Sequence, residues 1–214
     1  MPRKLTRYLT TVKQALADGY SGFRAVVDVT AVARTPEHCE GLVALEFSVD
    51  QQMALLPFSA LCAHDTSQLD SAAELSCLHP FVGEAAASFH IYAEPEARFD
   101  FALTGEIDAA TSDLFATTVH RLLPLTADAT VQVNAEALQF IGHRQMPLLD
   151  ELAEEHDRTE VLRTNQHVPA RLIEVLHTAR VRVEPFVPLV GDPPAPAGSV
   201  KLTNSPKVPI AQTR

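Results

Sequence analysis

A chain of 214 residues with a formal net charge of −10 lacks the basic surface needed to displace the counterions of a nucleic acid, so sequence-independent nucleic-acid binding is excluded. A hydrophobic share of 46% with 21% charged residues is that of a globular protein and excludes disorder of the whole; the length admits one large domain or two small ones. No apolar run approaches the roughly 20 residues of a membrane span, and residues 1–20 hold no apolar signal core. Cys39, Cys62 and Cys77 form no spaced framework, so reduced thiols in a cytoplasm are expected.

Leu5, Leu9, Val12 and Leu16 recur at spacings of three and four, which predicts an amphipathic helix ending at Asp18-Gly19. Phe23 to Val29 is a β-rich apolar run that predicts a strand. Thr35-Pro36-Glu37 carries the marks of a helix start: a capping hydroxyl, a proline for the first turn, and an acid at the positive end of the dipole. That helix runs through Leu42, Leu45, Glu46, Val49 and Met53. Pro57 to Cys62 predicts a second strand, and residues 68–76 a short helix before Leu78-His79-Pro80. Helix, strand, helix, strand, helix is the order of an α/β unit with parallel pairing.

Ala15 to Asp28, Glu46, Leu61-Cys62-Ala63-His64-Asp65 and His79-Pro80 together resemble the MEDS sensory domain. The resemblance covers about the C-terminal half of such a domain. It implies part of a RecA-like α/β core of the kind found in bacterial sensors and regulators. No G-x-x-x-x-G-K-[ST] occurs in the chain, so no cradle for nucleotide phosphates is expected.

Asp28, Glu46, Cys62, His64, Asp65 and His79 are the chemistry-bearing residues of this half. A metal needs three or four such groups to converge, and no standard zinc spacing is present. Asp28 and Glu46 therefore read as polar groups at element ends and His79-Pro80 as a turn, and no metal, cofactor or catalytic residue is expected.

In the second half, residues 88–93 and 98–104 alternate as an antiparallel strand pair. Gly105 breaks the second strand, and Asp108 stands where a helix N-cap belongs. Leu114, Phe115, Thr118, Val119, Leu122 and Leu123 make a one-sided helical stripe that Pro124 halts. Thr130 to Val133 predicts a short strand, and Leu138 to Ile141 leads into a helix carrying Met146, Leu149 and Leu152, with Pro147 in its first turn. Val161-Leu162 predicts a strand, Leu172 to Leu176 a helix after Pro169, and Val181 to Val183 a last strand.

Leu103-Thr-Gly-Glu-Ile-Asp-Ala-Ala-Thr111, Val133-Asn134 before Leu138-Gln-Phe-Ile141, the helix from His143, and Thr164-Asn165 before Pro169 to Leu176 resemble the STAS domain of anti-sigma-factor antagonists. The resemblance spans nearly the whole of such a domain. It implies a mixed β-sheet flanked by helices and a non-catalytic function. The expected partner is a protein, an anti-sigma factor with a serine-kinase fold. Carried over residue by residue, the docking surface comprises Gly105, Glu106, Asp108, Thr111, Asn134, Gly142, His143 and Arg144.

One position departs from the family pattern. Where the family has Phe-Ile-Asp-Ser-Ser-Gly, the chain reads Phe140-Ile141-Gly142-His143-Arg144-Gln145. The phosphorylated serine falls on His143, which has no hydroxyl to accept a phosphate. A switch that works by placing about two negative charges at a helix N-terminus is therefore missing. Three consequences stay open: a decayed site on a persisting fold, a constitutive binder, or an anion site built from Arg144 and free backbone N–H groups.

The expected organisation is thus α/β throughout. Residues 1–87 form a partial MEDS-like segment, 88–188 a STAS-like domain, and 189–214 a flexible proline-rich tail. An interrupted α/β core exposes apolar surface, which predicts a homodimer or a tight contact between the halves. The expected function is a regulatory protein–protein interaction module. The alternative is a small-molecule sensor with its ligand between the two halves.

Overall fold

The computed structural model describes residues 3–53, 55–65, 67–69, 72–80, 87–94 and 98–188. The expected tail from 189 lies outside them. The protein is a mixed α/β structure with a β-sheet flanked by helices. In the first half, α1 (Arg3–Ala17), β1 (Phe23–Asp28), α2 (Pro36–Met53), β2 (Phe58–Ala63) and α3 (Ala72–Cys77) follow in the expected order. The two strands pair in parallel, Phe23 beside Phe58 and Asp28 beside Ala63. Leu5 and Val12 of α1 are buried as their spacing predicts, whereas Leu16 is 39% exposed. Thr35 caps α2, its hydroxyl accepting from the His38 N–H at 3.3 Å.

The second half contains β3 (Phe89–Ala93), β4 (Phe101–Ile107), α4 (Ser112–Leu122), β5 (Thr130–Asn134), β6 (Leu138–Ile141), α5 (Gln145–Glu155), β7 (Thr159–Arg163), α6 (His167–Leu176) and β8 (Val181–Glu184). The strands form one sheet in the order β3-β4-β5-β7-β8, and β6 pairs with β4 beyond the end of β5. Only β3 runs antiparallel to its neighbour.

Several elements differ from expectation, each for a local reason. Gly105 does not end β4. It sits at φ +84° at a register shift against β6, so the strand bulges and continues to Ile107. A Cβ there would collide with the carbonyl oxygen of Ser88, which is why the position needs glycine. Leu138 to Ile141 is a strand, because its backbone completes the β4 edge that β5 leaves uncovered. Pro169 lies inside α6, at its third residue, where a missing N–H costs no helical hydrogen bond. Pro124 does not stop the chain turning: α4 tightens into a 3₁₀ turn over Leu123–Leu125.

The halves share one core. A single cluster of buried side chains runs from Val29, Val43 and Phe47 through Phe89, Phe115 and Leu162. Its pivot is α2. On one side of this helix Phe47 meets Phe101 of β4, ring centroids 5.3 Å apart. On the other, Val49 packs with Leu5, Val12 and Phe58. The far face of the β1–β2 pair stays open, with Val26 75% and Leu61 61% exposed, although parallel strands are usually covered on both faces.

Candidate functional site

The residues expected at the docking surface divide into two groups. Asp108, Thr111, Gly142, His143 and Arg144 gather at one end of the second sheet, at the start of α4 and α5. Asp108 is not the N-cap of α4, which begins at Ser112 with Thr111 before it. Its carboxylate instead closes the turn leading there, accepting from the N–H groups of Ala110 at 2.9 Å and Thr111 at 3.2 Å. The Thr111 hydroxyl accepts from the Asp108 N–H in return, at 3.0 Å. The Gly142 N–H donates to the Ile107 carbonyl at 2.9 Å, and the buried Gln145 amide donates to the Ser112 hydroxyl at 3.3 Å. These bonds hold the two turns side by side. Asp108, His143 and Arg144 are exposed on them, beside an exposed Glu106 at the end of β4 and a half-exposed Phe140.

Asn134 is not part of this surface. It lies level with Ala102 on β4, six residues before Asp108, or about 20 Å along the strand at roughly 3.3 Å per residue. Its amide donates to Glu94 at 3.0 Å and its side-chain oxygen accepts from the Glu136 N–H at 3.2 Å. Gly105 contributes backbone geometry, as described above.

The first half holds a second constellation. Asp28 caps the turn after β1, accepting from the Thr30 N–H at 2.9 Å; beside it the Asp65 N–H donates to the Thr30 hydroxyl at 2.9 Å, and the Asp65 carboxylate accepts from Ser67. Both carboxyls are held below their usual range by these hydrogen bonds. His64 lies past the end of β2 and does not join Cys62 on the strand.

Glu46, Cys62 and His79 do converge. One donor atom from each lies within 4.8 Å of the others. The Cys62 thiol donates to Glu46 Oε1 at 3.3 Å. His79 Nε2 faces Glu46 Oε2 at 3.9 Å, and His79 Nδ1 faces Asp50 Oδ1 at 3.9 Å, distances of ionic contact rather than of hydrogen bonds. Asp50 is 7% and Glu46 6% exposed, and neither carboxylate oxygen of Asp50 has a hydrogen-bond partner among the described residues.

Spacing alone could not show this set: the three groups come from a helix, a strand and a turn. The usable signal was Glu46 and Asp50 themselves. They stand one helical turn apart on α2 among Val43, Phe47 and Val49, and acids inside an apolar stripe need partners.

The electrostatics follow from burial. Loss of solvent raises the Glu46 carboxyl, against the pull of His79, and raises Asp50 in the same way. Burial, reinforced by the nearby charge of Glu46, pushes the Cys62 thiol far up. For His79 burial opposes the charged form, yet the facing carboxylates Asp50 and Glu46 prevail and raise its pKa.

Glu46 and Cys62 also line a cavity of about 360 Å³ between α1, α2 and the inner face of β1–β2. Its wall is mostly apolar (Phe23, Val27, Leu45, Phe58 and Ala60 among others), with Arg7, Tyr8 and Thr11 of α1 on one side. The volume is in the range of small-molecule sites. All of its lining comes from the first half, so it does not lie at the junction where a ligand was expected. A second group, His120, Glu155 and His156, brings donor atoms together on the exposed ends of α4 and α5.

The fold and this geometry define an α/β protein with a ligand-sized cavity in its first half and a two-turn exposed surface in its second. Residues 1–80 match the family model of the MEDS domain, the MEthanogen/methylotroph, DcmR Sensory domain. The match spans α1 to α3 and supports a sensory or regulatory role. No curated protein matches the chain. Among the described residues no helix is long and apolar enough to cross a membrane.

Proposed function

We propose that the protein is a non-catalytic regulator in which the MEDS segment takes a small, mainly apolar molecule into its cavity and the second half carries the response to a protein partner. The cavity carries this reading. It lies wholly within the residues that match a sensory domain, and its polar groups are confined to α1 and to the Glu46–Cys62 edge. Such a lining suits a compact apolar ligand with one polar end. Thermal-shift screening of small molecules against the full chain tests it: stabilising compounds are expected, and they must lose their effect when Ala60→Phe fills the cavity. A chain that no compound stabilises would defeat the sensor reading.

The output side rests on the resemblance of residues 88–188 to anti-sigma-factor antagonists, supported by the exposed Glu106, Asp108, His143 and Arg144. The partner on this reading is an anti-sigma factor of serine-kinase fold in the cytoplasm. The contact is constitutive with respect to phosphorylation, since His143 replaces the serine. Binding titrations against such kinases test it, and a chain that binds none of them would remove the antagonist assignment while leaving the sensor reading intact. The open β1–β2 face, with Val26 and Leu61, suits pairing with a second copy; sedimentation that finds only monomer would rule this out.

A further inference from the structure

We infer that Glu46, Cys62 and His79 form a binding site for a divalent transition-metal ion of the zinc class, with Asp50 as the carboxylate that orients the histidine. The inference stands on these four side chains and does not require the sensor reading.

The donor set is the first argument. A thiolate, an imidazole and a carboxylate are all zinc ligands, with bonds of about 2.0–2.3 Å, so adjacent donors around a tetrahedral ion stand about 3.3–3.8 Å apart. Here Cys62 Sγ is 3.3 Å from Glu46 Oε1 and His79 Nε2 is 3.9 Å from Glu46 Oε2. One donor atom from each of the three lies within 4.8 Å of the others, so the donors have to close by about 1–1.5 Å at most to meet on one ion. Harder cations are a poorer match, because calcium and magnesium take oxygen ligands and leave no role for the thiol.

Asp50 is the second argument, independent of the first. Its side chain is more than nine-tenths buried, both oxygens lack hydrogen-bond partners among the described residues, and Oδ1 faces His79 Nδ1 at 3.9 Å. A buried carboxylate without hydrogen bonds is costly. A metal on Nε2 gives it a function: the histidine is then neutral with its proton on Nδ1, which Asp50 accepts and thereby fixes the ring.

Charge is the third. Without an ion, two buried carboxylates share at most the single positive charge of His79. A divalent ion instead balances the Glu46 carboxylate and the Cys62 thiolate, while the thiol proton leaves to solvent as the S–metal bond forms. Three protein ligands leave a fourth position. Because Glu46 and Cys62 line the cavity, the ion would sit at its wall, where water or the polar end of a ligand can complete the coordination.

The test is titration of the full, chelator-treated, reduced chain with Co²⁺, followed by displacement with Zn²⁺. One equivalent is expected to produce a thiolate-to-cobalt charge-transfer band and the strong visible bands of four-coordinate Co²⁺. Cys62→Ser should abolish the charge-transfer band, and Glu46→Gln or His79→Gln should weaken binding by about 100-fold or more. Asp50→Asn should keep the band and lose about 10- to 100-fold in affinity. His120→Ala, which disturbs the exposed cluster, should change nothing. If Cys62→Ser fails to fold, the wild-type chain still decides: one equivalent of Zn²⁺ should slow alkylation of Cys62 at least 10-fold, read by mass spectrometry. A wild-type chain without the charge-transfer band, a band that survives Cys62→Ser, or equal alkylation rates with and without Zn²⁺ would overturn the site.

Discussion

Arg121 on α4 donates to both carboxylate oxygens of Glu74 on α3, and so ties the segment that matches the MEDS model to the second half through a largely buried ion pair. Cys39 of α2 completes the contact, its sulfur 3.5 Å from the same Arg121 nitrogen. Glu74 is 5% exposed, so removing its partner strands a charge in the interior. Nearby, Cys77 and Thr118 touch across the same boundary at 3.4 Å. The two halves meet as parts of one core, with a polar clamp at its edge.

Arg121→Met should therefore cost about 3 kcal/mol or more, the penalty of breaking a buried pair from one side. Urea denaturation checks it. Because the core is shared, the wild-type chain should unfold in one transition, with probes in either half giving the same midpoint. Two separated transitions would show that the halves are energetically independent.

Gly105 offers a sharper local test. Its φ of +84° and the Ser88 carbonyl against it make Gly105→Val destabilising by more than about 2 kcal/mol, through both strain and collision. Gly41 on α2, where a Cβ would meet nothing within 4 Å, is the control: Gly41→Ala should be neutral or stabilising, since alanine favours a helix. Thermal unfolding of the two variants separates the cases.

Glu160 should make stability depend on pH in a particular direction. It is 3% exposed on β7, one of its oxygens has no hydrogen-bond partner among the described residues, and burial, with the charge of Asp150 adding to it, raises its pKa to about 8. The unfolded carboxyl ionises near 4.5. Between these values the folded chain holds a proton that the unfolded chain has lost, so this group's contribution to stability falls as pH rises, by about 1.4 kcal/mol per pH unit, and levels off above the folded pKa. Glu160→Gln removes the titration. The gain of the variant over wild type should grow from pH 5 to pH 8, and a gain independent of pH would contradict the assignment.

The exposed turns of the second half can be tested without disturbing the core. Arg144 is at the solvent-facing start of α5 and makes no side-chain cap for it. Arg144→Glu should leave the melting temperature within about 1 °C, as surface changes do. On the proposed antagonist reading, reversing this charge should weaken binding to an anti-sigma kinase by roughly 10-fold or more. Thermal unfolding reads the first effect, and a binding titration of wild type and Arg144→Glu reads the second.

Much of this architecture is legible in the residues themselves. The stripe of Leu5, Leu9 and Val12, the Thr35-Pro36-Glu37 start and the alternation through Phe89 and Ile91 each report a local preference that the packed structure keeps, whereas on β4 Ala102 is buried along with Phe101 and Leu103. What the residues do not display is set by contacts distant in the chain. Leu138 to Ile141 becomes a strand only because β4 has an open edge there. Asn134 looks contiguous with His143 in a motif and lies far from Asp108 in space, because β5 and β6 run end to end along β4. Glu46, Cys62 and His79 carry no recognisable spacing, since three separate elements deliver them. The acids at 46 and 50 within an apolar helix face were the one sequence sign of that site.

The central claim is that residues 1–80 contain a working small-molecule site. Thermal-shift screening of wild-type, Ala60→Phe and Arg144→Glu chains against one library of small apolar compounds with a single polar group tests it most directly. The account predicts compounds that stabilise wild type and Arg144→Glu alike and leave Ala60→Phe unmoved. Stabilisation that persists in Ala60→Phe, or a library without a single stabilising compound, would contradict it.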